Sequence, residues 1–333
     1  MTSGRAAREL GRGERVVPGV WRLRLPLPWP GIPHCNAWAL AAGDGVVLVD
    51  TGMHQPGSMA HLERAMSMVH LRPELVRQVV LTHAHVDHCG QTTPIVLRSG
   101  ASVWAHPDHR HLTAFLEDPE AMWDRRLEVA LQSGVPEAAG REVSAKRRTA
   151  DSGIAGRLEV DHELRDGVTI PTDLGEFVVV ETPGHAPSHV CLYNADHRML
   201  ISGDHLLGRV APYFEVGFSP DPIGEFLDSL ERIEQLDARL VLAGHGRTFT
   251  DVDGHVRATR QEVDRRLDRA LAALAGPEPR TAFDLASSGI FDVPITKENG
   301  SWLVSETLAL LIHLRRTGRI EKVDRDPDRW RLA

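Results

Sequence analysis

Cysteine is scarce in this chain. Cys35, Cys89 and Cys191 are odd in number and widely scattered over 333 residues, which excludes a dense disulfide framework and fits a reducing compartment. No apolar run approaches the ~20 residues that a bilayer-spanning helix needs. The stretch Met1–Val17 is rich in Arg and Gly and has no apolar core, so neither a membrane span nor a secretory signal is expected. Basic charge is not in excess either. A net charge of −8 and a pI near 6.1 exclude an overall positive field that would recruit nucleic acid or an anionic membrane. No internal repeat or low-complexity tract stands out. What remains is ordinary globular composition, 42% apolar and 25% charged, enough for one large domain or two smaller ones. A cytoplasmic enzyme is the expected class.

Residues 1–15 read as a frayed tail. From Val16 short apolar runs follow, among them Val20–Leu25, Ala37–Ala42 and Val46–Val49. The last is bounded by Gly-containing turns, as strands are. Met59–Val69 has helical spacing, Val76–Leu81 is a β-branched run of strand length, Gln91–Arg98 a helix and Ala101–Ala105 another strand. Strands alternating with helices indicate an α/β layered fold, in which ligands lie at loops beyond the strand ends. Residues 107–160 differ. They are charged and helix-like, broken at Gly134-Val-Pro136 and Asp151-Ser-Gly153, and carry Met122-Trp123. Either a solvated excursion or a cap over a pocket fits. Strand patterns resume at Glu176–Glu181, Val190–Tyr193, Met199–Ile201 and Leu240–Leu242, and from about Val256 the chain is helical.

The chemistry concentrates at Thr82-His-Ala-His-Val-Asp-His-Cys-Gly90, directly after the Val76–Leu81 run. His83, His85, Asp87 and His88 fall within one short loop, and imidazole with carboxylate suits Zn, Fe or Mn. One such segment cannot complete two metal sites, so further ligands must come from elsewhere. Three later apolar runs end in Gly plus a ligand-type residue: Thr182-Pro-Gly-His185, Ser202-Gly-Asp204-His205 and Ala243-Gly-His245-Gly246. Any one of these could be a plain turn. Their recurrence at strand ends makes coincidence a poor explanation.

These motifs resemble the metallo-β-lactamase superfamily over roughly residues 17–250, the Val49-Asp-Thr-Gly52 turn included. The resemblance implies an αββα sandwich with the metals at one edge between the sheets. It also implies that His83, His85 and His185 hold one metal, that Asp87, His88 and His245 hold the other, and that Asp204 bridges them. Asp50 would support the ligands from behind. The implied cofactors are two Zn²⁺, with Fe or Mn as alternatives. Two metals sharing a hydroxide would lower the pKa of water toward neutrality and stabilise an oxyanion, with Asp87 orienting the nucleophile.

Asp at position 204 resembles the thioesterases, lactonases and phosphodiesterases of the superfamily rather than its antibiotic-cleaving members. The stretches 82–90 and 182–189 (TPGHAPSH) resemble glyoxalase II-type thioesterases, although Cys89 replaces the first of two glycines usual there. Cys89 itself reads as a small buried filler. Leu206-Leu207 stands where lactonases often place a Tyr, leaving Tyr213 as a more distant substitute. His205 reads as a packing or ligand-supporting side chain, or as a proton donor to substrate, and Trp123 as a pocket residue from the cap. The expected activity is hydrolysis of a small-molecule ester or thioester. An RNA or DNA phosphodiesterase is the alternative, and a nucleic-acid-binding regulator without catalysis a third.

The C-terminal part supplies that alternative. Phe283–Ser287 and Ser301–Thr317 look helical, and Gly318–Val323 and Asp328–Leu332 look like strands around a charged turn, resembling a winged helix that one branch of the superfamily carries. The expected domains are a catalytic unit at 16–255 and a helical linker with this module at 256–333. From Asn299 to Ala333 there are seven Lys/Arg against five Asp/Glu, a net of +2, too mild for a phosphate footprint. Nucleic acid is therefore not expected as a partner, and neither is a membrane. A homodimer stays open.

Overall fold

The computed structural model describes residues 10–29 and 31–333. The chain opens with an antiparallel meander, β1 (Arg12–Val17), β2 (Val20–Trp29), β3 (Ile32–Ala42) and β4 (Gly45–Val49). Here the expected tail is corrected: Arg12–Arg15 pair with β2 from Arg24 to Trp21. Gly11 and Gly13 lie so close to the backbone carbonyls of His61 and Ala65 that no side chain would fit. Residues 1–9 lie outside the described residues.

Helix α1 (Ser58–Ser67) leads to β5 (Val76–Val80), and the short α2 (Val86–Cys89) and α3 (Thr92–Ser99) to β6 (Ser102–Ala105). Three helices then form the excursion, α4 (Arg110–Glu117), α5 (Pro119–Gln132) and α6 (Glu137–Arg148), before β7 (His162–Glu163) closes a seven-stranded sheet of order β1-β2-β3-β4-β5-β6-β7. From β4 onward its pairings are parallel. The second sheet holds β8 (Thr169–Thr172), β9 (Gly175–Glu181), β10 (Val190–Asn194) and β11 (Met199–Gly203). After α7 (Pro222–Glu234) it gains β12 (Leu240–Ala243), in the order β12-β11-β10-β9-β8. The chain ends with α8 (Val252–Ala273), α9 (Ala282–Ala286), α10 (Gly300–Arg316) and the hairpin β13 (Ile320–Arg325) and β14 (Asp328–Leu332).

The continuous apolar runs are explained by burial on both faces of each strand. Along β4, Val47 and Val49 enter the core between the sheets with Trp38, Phe177 and Leu192, whereas Val46 and Leu48 face Leu62, Met66 and Ile95 of α1 and α3. In β11, Met199 and Ile201 join the central core and Leu200 the outer one beneath α7 and α8. Three cores separate four layers, which is the expected αββα sandwich.

The boundary expected at 255/256 is also corrected, since it falls inside α8. Val256, Val263 and Ala270 of that helix share one core with Val241 of β12, Ile223 and Phe226 of α7, Leu311 and Leu314 of α10, and Trp330 of β14. Each of these Val, Ile, Leu and Phe side chains contributes about 1.5–3 kcal/mol on burial. The polar surface of α8 hid this stripe from a reading by composition. The end of α10 is fastened to α7 as well: Asp221, the N-cap of α7, lies 3.0 Å from His313 Nδ1 and also accepts from Gly224 N–H. Among the described residues no helix is long and apolar enough to cross a membrane.

Candidate metal centre

Strand ends deliver the ligand-type side chains to one edge of the sandwich. His83 and His85 follow β5, and Asp87 and His88 sit on α2 immediately after. His185 follows β9, Asp204 follows β11 and His245 follows β12. Two of these turns require glycine. Gly184 adopts φ 120°, where a Cβ would collide with the backbone of Phe226, and a Cβ on Gly244 would collide with the carboxylate of Asp204 and with His88.

Two clusters result. The Nε2 atoms of His83 and His185 lie 2.9 and 3.0 Å from Nδ1 of His85, and the three rings meet edge to face. On the other side, His245 Nε2 lies 3.2 Å from Asp87 Oδ2 and 3.1 Å from Asp204 Oδ2. His88 Nε2 lies 3.6 Å from Asp87 Oδ2. Asp204 stands between the clusters, with Oδ1 3.5 Å from His88 Nε2 and Oδ2 3.8 Å from His185 Nε2. Three groups of donor atoms come within 4.8 Å of one another: His83–His85–His185, His83–His88–Asp204 and Asp87–His88–His245.

The outward nitrogens are held from behind, which fixes which nitrogen points inward. Asp50, buried at φ 62°, accepts from the Thr82 N–H and O–H at 2.8 Å each and from His88 Nδ1 at 2.8 Å. Thr82 Oγ1 lies 3.0 Å from His83 Nδ1. His185 Nδ1–H donates to the Tyr213 carbonyl (3.1 Å) and His245 Nδ1–H to the His34 carbonyl (2.9 Å). His85 is reversed: its Nε2 lies 3.3 Å from Glu215 Oε2 while Nδ1 faces the cluster.

Electrostatics divide the site. Burial, reinforced by the surrounding imidazoles, pushes the His83 pKa well below its ordinary value and that of His185 down to about 3. At His88 and His245 burial works the same way, but Asp204 and Asp87 outweigh it. His88 is raised well above the usual range and His245 to about 10. Burial opposes ionisation of Asp204, yet His245 and His88 hold its pKa well down. His83 and His185 are thus held neutral and Asp204 ionised, the forms that ligate a divalent cation, whereas a cation bound at His88 and His245 would have to displace their protons. The donor set fits a metal on geometry too. His88 Nε2 and Asp204 Oδ1 are both buried without a hydrogen-bond partner, an arrangement that is costly unless something else occupies the space between them.

The other expected residues are placed as follows. Tyr213 stands beside the site, its ring 5.8 Å from His185 and 6.3 Å from His85. His205 turns away, buried against Phe226 at 4.5 Å. Cys89 is buried, with its thiol directed to the Ala84 carbonyl at 3.3 Å, and burial pushes its pKa up. Trp123 packs on Phe115 within the helical excursion, with ring centroids 5.2 Å apart.

Other contributors were not singled out from the sequence. His111 of α4 brings Nδ1 within 2.8 Å of Glu215 Oε2 and Nε2 within 2.9 Å of Ser188 Oγ. The excursion therefore reaches the metal edge. His189 is wedged between Thr182 Oγ1 (2.8 Å) and the Asp204 N–H (3.1 Å), orienting the turn that carries Asp204. It lies in the TPGHAPSH stretch, where the motif could have flagged it. Glu215 and His111 stand in no ligand-like pattern.

Comparison with known proteins agrees with this geometry. Residues 30–245 match the family described as the metallo-β-lactamase superfamily. The chain is 27% identical over 271 residues to the probable metallo-hydrolase YqjP of Bacillus subtilis (strain 168), covering 78% of this chain and 81% of that one. A metallo-β-lactamase family protein from Thermus thermophilus superposes with a TM-score of 0.83 at 28% identity, covering 96% of this chain and 100% of its own. A β-lactamase domain protein from Burkholderia ambifaria gives 0.79 at 25% identity, over 99% and 96%. By profile, structural likeness and the residues at its sheet edge, the chain belongs to the metallo-β-lactamase superfamily.

Proposed function

We propose that this protein hydrolyses an ester or thioester bond in a small molecule, using two transition-metal ions, zinc by preference. His83, His85 and His185 would hold one, Asp87, His88 and His245 the other, with Asp204 shared. The observation that carries this reading is the position of Asp204, whose two oxygens face His88 and His245 on one side and His185 on the other. When bound, such ions lower the pKa of water and polarise the electrophile.

The chain's own groups do the rest. Asp87, buried and 3.2 Å from His245, is placed to orient the attacking water and take its proton. Asp50, Glu215 and His189 keep the ligands in register. Tyr213 supplies a wall beside His85 and His185.

Crowding of the metal edge by the helical excursion favours a small substrate. The excursion overlies it through His111, and α10 joins that wall. Trp302 meets Trp29 of β2 edge to face at 6.0 Å. Lys297, just before α10, pairs with Glu142 of α6 at 2.9 Å, and the Phe283 N–H donates to the Ser133 carbonyl at 2.9 Å. The name of the Bacillus relative, a probable metallo-hydrolase, points the same way. A panel of thioesters, lactones and phosphodiesters assayed with metal-reconstituted protein tests the proposal. Turnover of thioester or lactone is expected. Turnover confined to phosphodiesters would replace it with the nuclease reading.

A further inference from the structure

The helical excursion carries one arginine, Arg126, whose guanidinium lies over two aromatic rings rather than against a carboxylate. Arg148 pairs with Glu120 and Asp124, and Arg141 with Glu137. Among the described residues no carboxylate forms an ion pair with Arg126 or Arg147. Arg126 is instead stacked on aromatic faces, its guanidinium carbon 4.3 Å from the Phe115 centroid and 5.4 Å from that of Trp123.

The position of that stack follows from α4. His111 and Phe115 are four residues apart on α4 and so share one face. His111 is the residue that touches Glu215 and Ser188, with its ring 5.9 Å from that of His85. Phe115 therefore stands about one helical turn, roughly 5–6 Å, along α4 from His111. Arg126 lies over it.

Residue Arg126 as a whole is exposed to solvent, yet its guanidinium is crowded enough for burial to lower its pKa. Glu215 and Tyr213 oppose that shift, and Arg147 adds to it. A guanidinium stacked by its face keeps its edge N–H donors free, in the fork that matches a carboxylate. Glu215 does not use that fork, because its Oε2 already faces His85 and His111.

The geometry points to Arg126 as the anion-recognising end of the substrate pocket, selecting substrates whose acyl part ends in a carboxylate a few carbons from the bond to be cleaved. This rests on the hydrolase reading above, so the test separates the two. Full-length zinc-reconstituted protein is assayed with S-glutaryl- and S-butyryl-N-acetylcysteamine, and binding of free glutarate is measured by calorimetry. The glutaryl thioester should be preferred. In Arg126→Gln its kcat/KM should fall at least about tenfold, mainly through KM, as expected for loss of a charge-assisted bidentate contact. Butyryl turnover should change less than about twofold, metal content should not change, and glutarate binding should weaken at least about tenfold. Arg126→Lys, which keeps charge but not the fork, should fall between.

Equal effects on both thioesters, or undiminished glutarate binding by the variant, would overturn the assignment. Competition by inorganic phosphate tighter than by glutarate would overturn the carboxylate class. Should neither thioester be turned over, the hydrolase reading fails, and the glutarate titration alone decides: lost binding in Arg126→Gln sustains the assignment and unchanged binding rejects it.

Discussion

At the residue scale, the ligand-type side chains were legible because His185, Asp204 and His245 each follow an apolar run and a glycine, and the other four crowd directly after the Val76–Leu81 run. Their supports were not. Asp50 could be read from the turn after β4, but the Glu215–His111 pair joins a loop to a helix with no sequence relation between them. Only folding puts Glu215 Oε2 within 2.8 Å of His111 Nδ1. Asp50 accepts from Thr82 and from His88, so Asp50→Ala should free both ligands it steadies. Metal affinity or activity should fall about 10–100-fold, measured by metal titration of the purified variant; unchanged affinity would mean that His83 and His88 are held by packing alone. Gly244→Ala should be worse still, since its methyl must displace Asp204 or His88.

A second residue-scale prediction concerns pH. Burial raises the Glu306 pKa from 4.5 to about 7, against the pull of Arg266 at 3.2 Å and with Glu262 adding to the rise. Between those values the folded state binds a proton that the unfolded chain has released, so this group's contribution to stability declines as pH rises through that window. Glu306→Gln mimics the protonated form. Its melting temperature should match wild type near pH 5 and exceed it above about pH 7. A constant difference across that range would show that Glu306 titrates normally.

At the element scale, strands and helices were legible where apolar runs were short and bounded. The readings of Met59–Val69 and Ser301–Thr317 fall on α1 and α10 with ends shifted by a few residues. Strand β1 escaped because Arg12-Gly-Glu-Arg-Val-Val17 is charged and lies at the sheet edge; its partner strand, not its own pattern, makes it a strand. The excursion could not be told from a solvated one by composition. Contact between α4 and Glu215 places it at the metal edge, with Trp123 one layer behind, on Phe115 and Arg126. Trp123→Ala should therefore loosen the Arg126 stack and raise KM while metal content stays constant. A fall in metal content with KM unchanged would place Trp123 in the support of the sandwich instead.

At the scale of the whole molecule, the expected division at 255/256 dissolves into a shared core. Leu311, fully buried there, should cost about 2–5 kcal/mol as Leu311→Ala and lower the single unfolding transition of the entire chain. Two separate transitions would restore the independent module. The arginines at the end of α10 are exposed, and Arg316 lies 3.8 Å from Asp221. With so mild a local charge, no measurable binding to single-stranded RNA is expected at physiological salt. Salt-sensitive binding lost in an Arg315/Arg316 double alanine variant would promote the nuclease alternative.

The most direct test of the central reading is a metal titration of thioesterase activity. Metal-free protein, prepared by chelation, is assayed with a small thioester after stepwise addition of Zn²⁺. Activity should be absent at the start and should rise to a plateau near two equivalents per chain, because the side chains at the sheet edge form two groups joined by Asp204. Activity that survives chelation, or protein that takes up no metal at all, would contradict a metal-dependent hydrolase.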